Sequence, residues 1–267
     1  MLTAPILLNK YCTEPSVFTP ENLLREARRQ KSLPRARVPR ICVLDPDGDI
    51  VRWLVGAQRA ERDARWACYH TDLFIFGQDN MRFGIIGCAV GAPFAVLVAE
   101  ELFVSGCELL ISVTSAGQIV AINDPPYFVL IEKALRDEGT SYHYLPPAEF
   151  SHIAPGLLSM LDDVLTHTSV PISRGATWTT DAPFRETDSA IAYCRNMAIM
   201  AAEMEAAALY AFAEARNKPV VCLAHVTNRM AHTEGDFEKG GAGGSQDALQ
   251  VIALVAHAWM SRQPVLG

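Results

Sequence analysis

A chain of 267 residues, half of them hydrophobic, can bury a full core as one large domain or two small ones. With 20% charged residues and a net charge of −7 it lacks the basic surface that nucleic-acid binding needs, although a local patch can still admit a small anion. The seven cysteines are odd in number, scattered and without a Cys-x-x-Cys pair, and no apolar run reaches the ~18 residues of a membrane span. Met1–Lys10 lacks the basic and apolar regions of a signal peptide. The expectation is a cytoplasmic protein with reduced thiols and no metal, nucleic-acid or membrane partner.

Residues 1–39 read as an N-terminal adaptor: a helix over Pro20–Gln30 capped by Thr19, then the basic, proline-punctuated connector Lys31–Arg40. A single domain over 40–267 follows. Its first strand is Ile41–Leu44, and the turn Asp45-Pro-Asp-Gly-Asp49 opens a helix through about Arg65. Leu73–Phe76 and Phe83–Cys88 flank the turn residues Gln78-Asp-Asn80 as a hairpin. Gly91–Gly106 reads as an apolar helix, and Leu109–Thr114, Tyr127–Ile131 and Ile172–Thr177 as strands. A helix beginning near Glu203 leads through Asn217-Lys-Pro219 into the strand Val220–Thr227, and Ser245–Met260 is the last helix. Apolar strands alternating with helices predict an α/β fold, a three-layer α/β/α sandwich with a central mixed sheet. The glycine-rich segment 240–244, preceded by Glu234–Lys239, should be mobile, as a linker or as a lid.

Two carboxylates stand out in Ala201-Ala-Glu-Met-Glu-Ala-Ala-Ala-Leu. Helical steps from Glu205 reach Ala208, Leu209 and Phe212, so its side chain should face the core. Such a carboxylate costs several kcal/mol unless something polar meets it. Either it is a structural cap or ion pair, or it is kept for the hydroxyls of a ligand, with the helix N-terminus offsetting part of the cost.

At this point the chain resembles the nucleoside phosphorylase superfamily, which includes uridine phosphorylase, hexameric purine nucleoside phosphorylase and the methylthioadenosine nucleosidases. Glu203-Met-Glu205 is similar to the ribose-binding motif, and Val90-Gly-Ala-Pro93 to the Gly-Ile-Gly-Gly-Pro turn. Ser112-Val-Thr-Ser-Ala-Gly117 resembles the strand end Arg-Ile-Gly-Thr-x-Gly, Val226-Thr-Asn-Arg229 the strand end that meets the base, and Asp137–His143 the Asp-Gly-Thr-Ser run. The resemblance implies cleavage of an N-glycosidic bond. Glu205 would grip the sugar hydroxyls with Glu203 beside it, and Met204 would lie on the sugar face, where core filling is its alternative. Asn228 would meet the base or leaving nitrogen, with a strand-end turn as its alternative. Thr180, Asp181 and Phe184 would form the base pocket, Phe184 by stacking, and Ser115 and Gly117 would line the substrate site. His143 and His232 are further candidates near a sugar 5′ group or base. The resemblance also implies a homo-oligomer, dimer or hexamer, with shared sites.

The departures concern phosphate. Family phosphorylases carry Gly-Asp-Pro-x-Arg after the first strand, where Asp49 stands for the arginine, and Ser112 replaces the arginine of Arg-Ile-Gly-Thr. A dianion beside three aspartates is repelled, whereas arginine holds it well. Hydrolysis is therefore favoured, with Asp49, or Asp47, activating water; an N-cap for a helix starting at Ile50 is the alternative role of Asp49. No cofactor is expected, with inorganic phosphate a co-substrate only for a phosphorylase that uses Ser115, backbone amides and Arg37 or Arg40. A non-catalytic nucleoside-binding protein is a third reading. The residues after Phe184, Arg185-Glu-Thr187, do not grip uracil as uridine phosphorylases do, and the base stays open.

Overall fold

In the computed structural model, which describes residues 4–162, 164–165, 168–230 and 234–262, the hydrophobic runs become strands buried along most of their length. The chain order is α1 (Pro20–Lys31), β1 (Ile41–Asp45), α2 (Asp49–Gly56), β2 (Ala60–Arg62), β3 (Phe74–Gln78), β4 (Met81–Gly87), α3 (Ala92–Val104), β5 (Leu109–Gln118), β6 (Tyr127–Asp137) and β7 (Phe150–His152). It continues with α4 (Pro155–Leu161), β8 (Ile172–Thr180), α5 (Asp188–Asn196), β9 (Ile199–Glu203), α6 (Ala206–Arg216), β10 (Val220–Asn228) and α7 (Ser245–Ser261). Among the described residues no helix is long and apolar enough to cross a membrane.

Among the described residues the ten strands belong to one mixed sheet, β10-β6-β8-β9-β5-β1-β4-β3-β2, with β7 on β6. β1 lies in parallel between β4 and β5, every one of its residues buried. Helices cover both sides: α1 and α6 pack with α3, and α2 and α4 with α7. The predicted mixed α/β architecture is present. One feature is additional: β10 bonds to β5 as well as to β6, so β5, β9, β8, β6 and β10 close into a ring. The closure brings the ends of β5, β9 and β10 together, Gly117 lying opposite both Ala202 and Asn228.

Local signals explain several boundaries. Asp79 and Asn80 both take positive φ (49° and 61°) in a two-residue turn between β3 and β4, a turn whose twist suits paired strands and which Asn and Asp tolerate. Thr19 caps α1 by accepting the Asn22 N–H at 3.3 Å, and Leu24 and Ala27 bury α1 against Ala67 and Val104. The helix predicted through Arg65 ends instead at Gly56, and Ala60–Arg62 pairs with β3. Its apolar face runs out after Leu54, so nothing holds a longer helix to the core.

The largest departure is at Glu203. This residue ends strand β9 rather than starting a helix, and Glu205 is the N-cap residue of α6, outside its first turn. The run Ile199–Ala202 is short and flanked by helix formers, so alternation had nothing to show there; pairing with β8 and β5 makes it a strand.

Candidate active site

Gly91 precedes α3 with φ +88°, a conformation open to glycine, and its N–H points at Glu205 Oε1, 2.7 Å away. Thr114 on β5 donates its hydroxyl to Glu205 Oε2 at 2.9 Å. Glu205 is 1% exposed and has no cationic partner among the described residues. The helix terminus that meets it is that of α3, not of α6. Burial, then the charge of Glu203, pushes its carboxyl up to about 8, against the Gly91 and Thr114 hydrogen bonds.

Glu203 has a different task. It accepts from the Thr177 and Thr179 hydroxyls and from the backbone N–H groups of Glu205 and Ala206, both at 2.7 Å. Four donors fill the acceptor capacity of a carboxylate, so the substrate contact expected of Glu203 gives way to capping α6 and joining it to β8. Burial raises its pKa too, against those hydrogen bonds.

The turn after β1 supplies three more acids. Gly48 (φ +75°) makes the turn possible, since a Cβ there would meet Cys88 Sγ at 2.7 Å. Asp45 is buried and accepts the Val51 N–H at 2.9 Å; burial lifts its carboxyl to about 7. Asp47 Oδ2 accepts both the Ser115 N–H (2.7 Å) and the Ser115 hydroxyl (2.6 Å). Asp49 is half-buried, and ion pairs with Arg52 (2.6 Å) and Lys239 outweigh the burial that would raise its pKa and leave it lowered. Asp49 is the first residue of α2 and Gly48 the N-cap, which corrects the capping role expected for Asp49.

Asp45, Asp47, Asp49, Thr114, Ser115 and His225 line one recess, with Gly243 and Gly244 at its edge. The glycine-rich segment is exposed over 240–243 and anchored at its two ends: Lys239 reaches Asp49, Ser245 Oγ donates to the Asp49 carbonyl at 3.3 Å, and Gly244 is buried so close to His225 that a Cβ there would clash with its ring. His225 stacks on Phe128 at 4.5 Å, and burial with Lys239 nearby lowers its pKa to about 4. A Gly244→Ala variant, strained at φ +78° and overpacked, is expected to lose about 2–3 kcal/mol of stability, read by urea unfolding.

Stability should respond to pH through these groups. Glu205 and Asp45, with folded pKa values raised from 4.5 and 3.8, stabilise below those values and lose that contribution as pH rises towards 8 and 7. His225, lowered from 6.5, stabilises above 6.5 and loses that contribution as pH falls towards 4. Above pH 6.5 only the acids still titrate, so the melting temperature is expected to fall from pH 6.5 to 8. A flat or rising profile over that window contradicts the assignment.

The remaining candidates divide. Asn228 is buried at the end of β10, its Nδ2 on Thr227 Oγ1 (3.2 Å) and its Oδ1 accepting the Met230 N–H (2.9 Å). Met204 is half-buried beside Glu205, and Gly117 sits under Met230 Sδ, which leaves no room for a Cβ. Thr180 is buried with its hydroxyl accepting the Ala182 N–H. Asp181 turns to Gly139 N (2.8 Å), not to the recess. Phe184 is 98% exposed and stacks on no ring among the described residues. His143 contacts Lys10 (3.2 Å) on the surface, and His232 lies outside the described residues.

Thr114, Gly91 and Lys239 were not singled out by sequence reasoning as site residues. Thr114 lay within the Ser112–Gly117 strand end and Gly91 in the Gly-Ala-Pro turn, where a glycine before a helix implies an unusual backbone or a close approach; Lys239 carried no signal. Ser112, where a family arginine was expected, is buried in β5 with its hydroxyl unpartnered and does not line the recess.

Comparisons with known proteins agree with this architecture. Two solved structures of uridine phosphorylase from Vibrio fischeri are similar to the chain. The complex with 6-hydroxy-1-naphthoic acid has a TM-score of 0.68 at 21% identity, over 85% of this chain and 93% of that one. The second has 0.67 at 20% identity, over 96% and 100%. Purine nucleoside phosphorylase from Toxoplasma gondii, in complex with immucillin-H, has a TM-score of 0.70 at 17% identity, over 88% and 94%. An uncharacterised protein of Acanthamoeba polyphaga mimivirus is 29% identical over 149 residues, 55% of this chain and 58% of that protein. The sequence pattern of the family described as the phosphorylase superfamily matches residues 40–257, and the chain belongs to that superfamily.

Proposed function

We propose that the chain cleaves the N-glycosidic bond of a nucleoside with water as the nucleophile. The observation that carries this reading is the Asp47 carboxylate resting on both donors of Ser115, the N–H and the hydroxyl. A phosphate seeking those donors must displace the Asp47 carboxylate and then lie in the same recess as Asp49, whose lowered pKa keeps it charged, so that like charges repel. The nearby cations, Arg52 and Lys239, are held by Asp49. Arg37 packs against Gly106 and Arg40 pairs with Glu108, about 20 Å from Ser115 by the rise of β5, so neither serves phosphate within one chain.

The general base in this reading is Asp47 rather than Asp49, whose ion pairs lower its proton affinity. Water adds to C1′ and yields a proton to Asp47, and the electron pair of the C1′–N bond leaves on the base nitrogen. Asn228 Nδ2 has a second hydrogen for that nitrogen or a base edge, and the base then takes a proton from solvent. Glu205 accepts from the sugar hydroxyls and favours the positive charge that builds on the ring, with Met204 against its face. A second copy of the chain closes the side where Phe184 stands free, giving the dimer or hexamer that light scattering would detect.

The test is incubation with uridine, inosine and adenosine, with and without phosphate. Free ribose released without phosphate is the expected product. Ribose 1-phosphate formed only with phosphate overturns the reading in favour of a phosphorylase, and saturable binding without base release overturns it in favour of a binding protein.

A further inference from the structure

At the opposite end of β5 from Ser115, the connector between α1 and β1 runs past the corner joining α3 to β5, where the Val38 N–H bonds the Ser105 carbonyl at 3.0 Å. A cavity of about 840 Å³ lies there, within the range of small-molecule sites. The half-buried Leu33 and Val104 contribute apolar surface to it, and Arg25, Arg28, Arg35 and Arg37 surround it. Arg25 is tied to Glu26 and Asn22, but among the described residues Arg28, Arg35 and Arg37 enter no ion pair. In a chain of net charge −7, this concentration of arginine with Glu21 as the one acid in the lining is a local reversal of sign.

Two buried polar atoms of residues in this lining lack partners among the described residues: Arg28 Nε and Ser105 Oγ. Buried donors are ordinarily satisfied, so these two call for an acceptor. Desolvation, then the charge of Arg35, lowers the Arg28 pKa, so the pocket strains its own cation and an anion would relieve it. Arg37 is set close by the absence of a side chain at Gly106 (φ +108°), where a Cβ would stand 2.9 Å from Arg37 Nε.

We propose that this cavity binds a small phosphate-bearing molecule, its phosphate held by Arg28, Arg35, Arg37 and the Ser105 hydroxyl. Planar guanidinium groups grip phosphate oxygens in pairs, and the apolar surface of Leu33 and Val104 receives the carbon part of a nucleotide or sugar phosphate. The site is separate from the Ser115–Glu205 recess and does not rest on the proposed hydrolysis.

Calorimetric titration of the full chain with sodium pyrophosphate tests it. Saturable binding is expected, weakened about tenfold or more in the exposed double variant Arg35→Glu/Arg37→Glu and in Arg28→Gln, and unchanged in Ser115→Ala. Competition by AMP and by ribose 5-phosphate separates the two ligand sources, since a nucleotide site favours the first and a sugar-phosphate site the second. The proposal is overturned by the absence of saturable binding, by equal affinity in the double variant, or by loss of binding in Ser115→Ala alone. It is equally overturned if a short RNA binds through these arginines and pyrophosphate fails to displace it. The double variant alters only exposed side chains, so it remains informative should Arg28→Gln fail to fold.

Discussion

Replacing Glu205 with glutamine is expected to lower kcat/KM for nucleoside cleavage by about 100-fold or more, with little change in melting temperature at pH 7. The asymmetry follows from its surroundings. At 1% exposure and with its pKa near 8, the side chain is largely protonated at pH 7 in the empty protein, so a neutral amide of the same shape is tolerated by the fold. Gly91 N–H still meets the amide oxygen, and the Thr114 hydroxyl can turn to accept from the amide nitrogen. Lost instead is the carboxylate that sugar hydroxyls and a developing cation draw into its charged form. Nucleoside binding should accordingly release protons at pH 7, seen as a binding heat that varies with the ionisation enthalpy of the buffer. The variant should release none, and its melting curve should lose much of the decline between pH 6.5 and 8. A variant that cleaves nucleosides at the parental rate would remove Glu205 from the chemistry.

The second large effect is expected at Asp47, where two substitutions separate two roles. Asp47→Asn keeps a hydrogen bond to Ser115 but cannot take a proton from water, and a fall in turnover of about 10²–10⁴-fold is the expected loss of a general base. Asp47→Ala also leaves the Ser115 N–H and hydroxyl without their acceptor and removes one negative charge. That variant should bind inorganic phosphate or sulfate at least about tenfold more tightly than the parent, since two donors become free to an outside anion. Unchanged anion affinity in Asp47→Ala, read by calorimetry with the arginines of the α1 cavity replaced, would mean that Asp47 does not stand in an anion's place.

Legibility in the sequence followed the length and regularity of each signal. β1, β5 and β10 were readable because they are continuous apolar runs, and the β3–β4 hairpin because Asp79-Asn80 suits its turn. β9 was not, since five residues ahead of an alanine-rich helix carry no period of their own. Glu205 was marked as a buried acid by a helical stripe it does not occupy, so the expectation of burial held while its geometric basis did not. In segment 240–244 the glycines fit two local demands that the sequence did not reveal: the positive φ values of Gly240, Gly243 and Gly244, and the close approach of Gly244 to His225.

Composition, apolar periodicity and short motifs determined by themselves the α/β class and the superfamily resemblance, because each depends on residue type and local order. Which acid meets which donor was decided by tertiary structure alone. Asp47 finds Ser115 across 68 residues and Glu205 finds Gly91 across 114, contacts made only when β1 pairs with β4 and β5, and β9 with β5. A carboxylate's chemistry depends on the few ångströms around it, and spacing along the chain does not encode that distance once the sheet folds on itself.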